Sequence, residues 1–168
     1  ADNNQLIPDR VMFDLSAEII KVFDFFEAWA EERNITLKFN GVHCLIEGDP
    51  QMFRRAINNL LSNALRYTPE DQAVTVSIKE QENYFELMIE NPGKPIPEEH
   101  LSRLFDRFYR VDPSRQRKGE GSGIGLAIVK SIVEAHHGRV HVESDVRSTR
   151  FILSVPRLEK IINSTPQS

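Results

Sequence analysis

Apolar positions along the chain change period several times, and each change marks an element. Residues 11–15 are a short apolar run that reads as a strand. Ser16 is a plausible helix start, and Ile19, Val22, Phe23, Phe26, Trp29 and Ala30 then recur at helical spacing, which predicts an amphipathic helix over 16–33. Segments 36–39 and 42–47 read as two strands around a turn at Asn40-Gly41. Asp49 caps a second helix with Pro50 at its first position, and this helix is expected to run to about residue 67 and stop before Pro69. Val74, Val76 and Ile78 alternate with polar neighbours, and 84–89 forms a second strand across a turn near Glu82-Asn83. A loop at Pro92-Gly93-Lys94-Pro95 precedes a short helix over 98–105. Residues 106–121 are polar, with little to bury, and read as a mobile loop. A helix over 123–137 follows, with Gly138 as its C-cap, and 140–144 and 151–155 close the chain as a hairpin. There is no internal repeat. The mixture predicts an α+β domain, one layer of helices on one mostly antiparallel sheet.

The 168 residues suit one domain, and folding at this length buries roughly 70% of the unfolded surface, so no staple is needed. Eight Gly and nine Pro exclude a collagenous or low-complexity chain. A net charge of −4 argues against a dedicated nucleic-acid binder, while leaving room for a local basic pocket for a phosphorylated small molecule. The single Cys44 forms no internal disulfide and sits in an apolar run, the setting of a packed thiol rather than a ligand or nucleophile. Apolar runs are too short to span a bilayer, and the first residues carry no signal-peptide pattern.

Three segments carry candidate chemistry. On the second helix, Asn59, Asn63, Arg66 and Tyr67 form one stripe, opposite an apolar face of Ile57, Leu60, Leu61, Ala64 and Leu65. Such a stripe is commonly just a wet face, but wet faces favour Glu and Lys over amides. Asn oxygens are hard neutral ligands suited to Mg²⁺, which takes few protein ligands beside a substrate's phosphates. The second segment, Gly119-Glu120-Gly121-Ser122-Gly123-Ile124-Gly125-Leu126, alternates glycines into a helix start. Its backbone can approach a ligand closely, and the helix N-terminus offers N–H groups to phosphate; a plain hinge is the rival reading. It is neither a Walker A loop nor a dinucleotide fingerprint. Arg107, Arg110, Arg115, Arg117 and Lys118 gather just before it, interleaved with Phe105, Phe108 and Tyr109. The third segment, Asn91 to Pro97, places a polar side chain and a Gly/Pro turn after a strand and is weak alone.

Together and in this order, the segments around Asn59–Pro69, Asn91–Pro97, Phe105–Arg110 and Gly121–Val129 resemble the N, G1, F and G2 boxes of sensor histidine kinases. The phrase from Phe105 to Lys130 resembles the heavy-metal branch, its copper- and silver-responsive members most of all. The resemblance implies the Bergerat (GHKL) ATP-binding fold, a two-layer α/β sandwich whose sheet is covered on one face by three helices. It implies a linker remnant over 1–7, a catalytic domain over 8–157 and a flexible tail over 158–168. It also implies ATP and Mg²⁺ as ligands. By position, Asn63 matches the metal ligand and Asn59 a neighbour that holds the metal or its waters. Arg66 and Tyr67 match phosphate and nucleotide contacts. Asn91, Gly93 and Ile96 line the adenine side, Arg110 and Arg115 match lid residues that reach the phosphates, and Gly121, Ser122, Gly123, Ile124, Gly125 and Leu126 form the glycine lid.

The pattern departs from the family at three places. Asn91 stands where an Asp usually accepts a hydrogen bond from the adenine amino group, Pro95 replaces the second glycine of that box, and Ser148 replaces a Gly before Thr149. An Asn carbonyl still accepts that bond, without charge assistance. None of His43, His100, His136, His137 and His141 lies in a phosphoacceptor sequence. The resemblance therefore implies a kinase module that phosphorylates a histidine on a separate dimerisation domain and signals to a response regulator. The parent would be a homodimeric bacterial inner-membrane receptor with this domain in the cytoplasm, itself touching neither membrane nor nucleic acid. The rival readings are an ATPase of the same fold and a degenerate nucleotide-binding docking module.

Overall fold

The computed structural model describes residues 10–109 and 125–158. The expected linker at 1–7, the arginine- and glycine-rich stretch 110–124 and the tail beyond residue 158 lie outside the described residues. The element order is β1 (Val11–Asp14), α1 (Leu15–Glu32), β2 (Thr36–Asn40), β3 (Leu45–Gly48), α2 (Pro50–Tyr67), β4 (Ala73–Glu80), β5 (Tyr84–Asn91), α3 (Glu98–Leu101), α4 (Gly125–Ala135), β6 (Arg139–Ser144) and β7 (Thr149–Pro156).

Five strands form one sheet in the order β2-β4-β5-β7-β6, in which only β2 and β4 run parallel. Strict alternation puts one apolar row across all five strands: Phe39, Val76, Ile89, Phe151 and Val142 are successive register partners. That face carries α1 over β2, α2 over β5 and α4 over β6. The opposite face is a row of the other parity, Asn40, Ser77, Met88, Ile152 and His141, and is mostly polar. Between the layers, Phe53, Leu60, Leu61, Leu65, Leu87 and Leu153 are fully buried. This is the α+β two-layer sandwich expected, with three long helices on one face.

Four local expectations need correction. Segments 36–40 and 45–48 do not form a hairpin. The Asp14 carboxylate accepts both Ser16 N and Cys44 N at 3.0 Å, and Leu15 N donates to Cys44 O at 2.8 Å, which draws the chain after β2 toward β1. β3 therefore pairs antiparallel with β1 as a second, two-stranded sheet. Asp14, not Ser16, caps α1. The short helix α3 ends at Leu101 rather than near 105. At the end of α4 the left-handed residue is His137 (φ 64°), while Gly138 N closes the turn onto Val133 O at 2.9 Å. A Cβ on Gly138 would lie 2.3 Å from Ser154 O, so glycine is required there for close approach to β7. Cys44 is fully buried, and burial pushes its thiol up to about 12, as a packed thiol requires.

His136 ties the ends of two helices. Its Nδ1 donates to Ile132 O at 2.8 Å, its Nε2 accepts Asp49 N at 3.1 Å, and its ring meets Phe53 edge-on at 4.4 Å. Only a neutral ring makes both bonds. Burial, helped by Arg10 and His137 and opposed by the Ile132 carbonyl and Asp49, holds its pKa below the ordinary 6.5. The folded state therefore binds the proton less readily than the unfolded chain. This contribution is complete above pH 6.5 and falls as pH drops through and below it. Thermal melts between about pH 5 and 8 should show a steeper acid decline for the wild type than for His136→Phe; parallel curves would contradict this.

Candidate functional site

The site is organised by α2. The Asp49 carboxylate accepts Gln51 N at 2.9 Å, Pro50 occupies the first turn, and Thr68 ends the helix with its N–H and hydroxyl both on Ala64 O, at 3.0 and 2.6 Å. The predicted apolar face is buried throughout. The predicted stripe faces away from it, with Asn59, Asn63 and Arg66 half-buried and Tyr67 59% exposed.

The structure brings the other two segments to this stripe. Asn59 Nδ2 donates to Gly125 O at 3.3 Å, joining the middle of α2 to the first residue of α4 across 66 positions of sequence. Leu126, next along α4, is half-buried against the core. Gly93 (φ 143°) rests on the last turn of α2: a Cβ there would lie 2.8 Å from Tyr67 O and 3.8 Å from Asn91 Nδ2. Glycine is therefore required on both conformational and steric grounds. Asn91 is buried at the end of β5, and its amide nitrogen donates to Pro92 O at 2.9 Å. Ile96 N donates to Ser144 Oγ at 2.9 Å. Arg110, Arg115, Gly121, Ser122, Gly123 and Ile124 lie outside the described residues.

Two contributors escaped the sequence reading. Thr149 is the register partner of Asn91, and its hydroxyl contacts Ser144 Oγ at 2.7 Å. Alternation with Phe151, Leu153 and Val155 was the available signal that Thr149 points inward beside Asn91. The β6–β7 turn that delivers it is braced by Arg150, which reaches Asp145 Oδ2 at 3.0 Å, Glu143 Oε1 at 3.2 Å and Ser148 Oγ at 2.7 Å. Ser148, the departure from glycine, is absorbed into this network by donating to Glu90 Oε2 at 2.5 Å. The Arg150 guanidinium, with the N–H groups of Arg147 and Ser148, holds the Asp145 carboxyl down at about 2; Arg150 and His141 lower Glu143. In the segment that precedes the glycine-rich stretch in sequence, Phe105 packs on Phe151 at 6.0 Å, Arg103 stacks over Tyr109 at 4.5 Å, and Phe108 (φ 66°) is 63% exposed.

No group of three or more His, Cys, Asp or Glu able to hold a metal exists among the described residues. The Asn63 amide has no hydrogen-bond partner among them either, so its hard neutral oxygen is available to a cation that draws its remaining ligands from phosphate and water. The donor set fits Mg²⁺ on a nucleotide and does not fit an all-protein metal cage. No described helix is long and apolar enough to cross a membrane.

Residues 48–159 match the family of histidine kinase-, DNA gyrase B-, and HSP90-like ATPases. The chain is 79% identical over 98% of its length to the probable sensor kinase SilS of Salmonella typhimurium, covering 34% of that protein. It is 62% identical over 93% of its length to the sensor histidine kinase CusS of Escherichia coli K12, covering 32% of it. The chain thus spans about a third of the length of the curated relatives it matches. Among solved structures, the nucleotide-free catalytic domain of the histidine kinase ThkA superposes with a TM-score of 0.79 over 89% of this chain and 96% of that one, at 24% identity. ThkA has also been solved in complex with the response regulator TrrA, and that kinase chain superposes at 0.75 over 88% of this chain and 42% of its own.

Proposed function

Because the chain belongs to the family of histidine kinase-, DNA gyrase B-, and HSP90-like ATPases, as the catalytic ATP-binding part of a sensor histidine kinase, we propose that it binds Mg·ATP and passes the γ-phosphoryl group to a histidine on a separate dimerisation domain. The observation that carries this reading is the Asn59–Gly125 contact, together with the seating of Gly93 on Tyr67 O. It unites three segments distant in sequence around one stripe of α2.

In this site Asn91 Oδ1 accepts from the adenine amino group, beside Thr149, while Gly93 and Ile96 shape the adenine wall. Asn63 Oδ1 would hold Mg²⁺, and Asn59, one turn earlier, would help hold the metal or its waters. Arg66 and Tyr67 face the phosphates and the nucleotide's edge; Arg110 and Arg115 add cations, and Gly121, Ser122, Gly123 and Ile124 lead into Gly125 and Leu126 at the helix N-terminus. Mg²⁺, when bound, neutralises charge on the phosphate oxygens. The chain's own work is positioning and charge stabilisation, which phosphoryl transfer mainly needs. The acceptor is a histidine rather than water, because Asn59 is no base at neutral pH and its amide already donates to Gly125 O.

The whole receptor, by the same reading, is a homodimer in a bacterial inner membrane with this domain in the cytoplasm, acting on a response regulator in a copper or silver response. Calorimetric titration of the chain with Mg·ATP tests the nucleotide site. Saturable binding that shifts the amide signals of Asn63, Gly93 and Gly125 supports it; no binding at millimolar nucleotide rejects it. Asn91→Ala should weaken ATP binding about tenfold, the loss of roughly one hydrogen bond, with little change in thermal midpoint. Unchanged affinity would remove Asn91 from the adenine contact. ATP turnover to water by the chain alone should be slow, and rapid turnover would favour a hydrolase.

A further inference from the structure

The last turn of α2 has a missing hydrogen bond that an outside residue supplies. In a continuing helix, Leu65 O would accept the N–H of residue 69, but Pro69 has none. Pro69 also holds Thr68 extended (ψ 129°), which turns the Thr68 carbonyl off the helix axis. The Arg33 guanidinium, at the C-cap of α1, donates through Nη1 to Leu65 O and through Nη2 to Thr68 O, the latter at 2.7 Å. One planar fork thus spans the two carbonyls flanking the Arg66-Tyr67 pair and sets a cation at the negative end of α2. A second brace stands beside it: Asp71 N donates to Asn34 O at 3.1 Å, Asn34 Nδ2 donates to Asp71 Oδ1, and both residues are left-handed (φ 70° and 53°). Gly93 then seats the Asn91 loop on Tyr67 O, between the two carbonyls that Arg33 holds.

We propose that Arg33, which belongs to none of the site's sequence segments, is a positioning residue for nucleotide binding: it fixes the α2 terminal turn on which Arg66, Tyr67 and the Asn91 loop depend. The inference rests on the nucleotide site proposed above. Its alternative is an ordinary helix-to-helix tether that stabilises the fold without bearing on the ligand. Arg54, which ties α2 to Glu18 of α1 at 2.9 Å near the other end of α2, is the matched control for that alternative.

Mg·ATP affinity is measured by calorimetry for the wild-type chain, Arg33→Ala, Arg33→Lys and Arg54→Ala, at a temperature at which each variant is fully folded by its own thermal melt. Arg33→Ala is expected to bind about tenfold more weakly, and Arg54→Ala within about twofold of wild type, although both lower the thermal midpoint. Arg33→Lys keeps the charge but cannot span two carbonyls, so it should recover most of the midpoint and only part of the affinity. Wild-type affinity in Arg33→Ala, or an equal loss in Arg33→Ala and Arg54→Ala, overturns the inference while leaving the nucleotide site standing. Failure of the wild-type chain to bind overturns the nucleotide reading, and this inference with it.

Discussion

Asn63→Ala is expected to reduce Mg-dependent phosphotransfer by about a hundredfold or more, measured as label passed from ATP to a supplied histidine-bearing domain. Loss of a residue that merely orients a metal ligand already costs roughly 10–100-fold, so loss of the ligand itself should cost at least that. The effect should not come from unfolding. Asn63 lies half-buried on the polar stripe of α2, its side chain makes no hydrogen bond to another described residue, and alanine suits a helix interior better than asparagine. The thermal midpoint without nucleotide should therefore hold or rise slightly. Metal-free nucleotide should bind the variant nearly as well as wild type, because the adenine contacts proposed for Asn91, Gly93 and Ile96 are untouched. Asn63→Asp keeps an oxygen ligand and should retain measurable transfer. Wild-type transfer by Asn63→Ala would show that the metal is held elsewhere.

Phe53→Ala should cost the fold about 3–5 kcal/mol, the usual penalty for emptying a fully buried aromatic site. The ring is completely buried, tilted against Phe13 of β1 at 6.0 Å and edge-on to His136 after α4 at 4.4 Å. The ring thus joins α2 to β1 and to the residue that follows α4. A domain of this kind has only roughly 5–15 kcal/mol of stability, so the change is a large fraction of the whole. With a urea dependence of about 2 kcal/mol per molar, the unfolding midpoint should drop by about 2 M. Phe53→Leu, which fills more of the space, should lose clearly less. A shift under about 0.5 M for the alanine variant would mean that neighbouring side chains collapse into the gap.

Much of α2 was legible because its signals are local. Asp49-Pro50 marks its start, Pro69 its end, and the 3.6-residue period separates Leu60, Leu61 and Leu65 from Asn59 and Asn63. The three strands carrying Val76, Ile89 and Phe151 were legible by alternation for the same reason. The Asn40-Gly41 turn misled because a hairpin signal states only that a turn is possible. Which strand pairs with which was decided by Asp14 reaching Cys44 N, thirty positions away, in the β1–β3 pair whose Phe13 packs on Phe53. His137 took the left-handed position expected of Gly138 because close packing on Ser154 O needed the glycine one residue later.

At the site, residue types and order named the stripe, the Asn91 turn and a glycine-rich entry into a helix expected from 123, yet no local pattern showed that they touch. In sequence Arg33 is only the last residue of the helix expected over 16–33, and its approach to Leu65 O and Thr68 O is what gives it a task. The amino-acid sequence by itself determined the elements, their buried faces and the inventory of amides, cations and glycines, since these depend on periods of two and 3.6 residues along the chain. The tertiary structure alone decided the β1–β3 pairing, the parallel β2–β4 edge, the Asn91–Thr149 register and the Asn59–Gly125 contact. Each of these is chosen by which long-range closure buries most apolar surface while satisfying the backbone, a competition over the whole chain that no window of neighbouring residues contains.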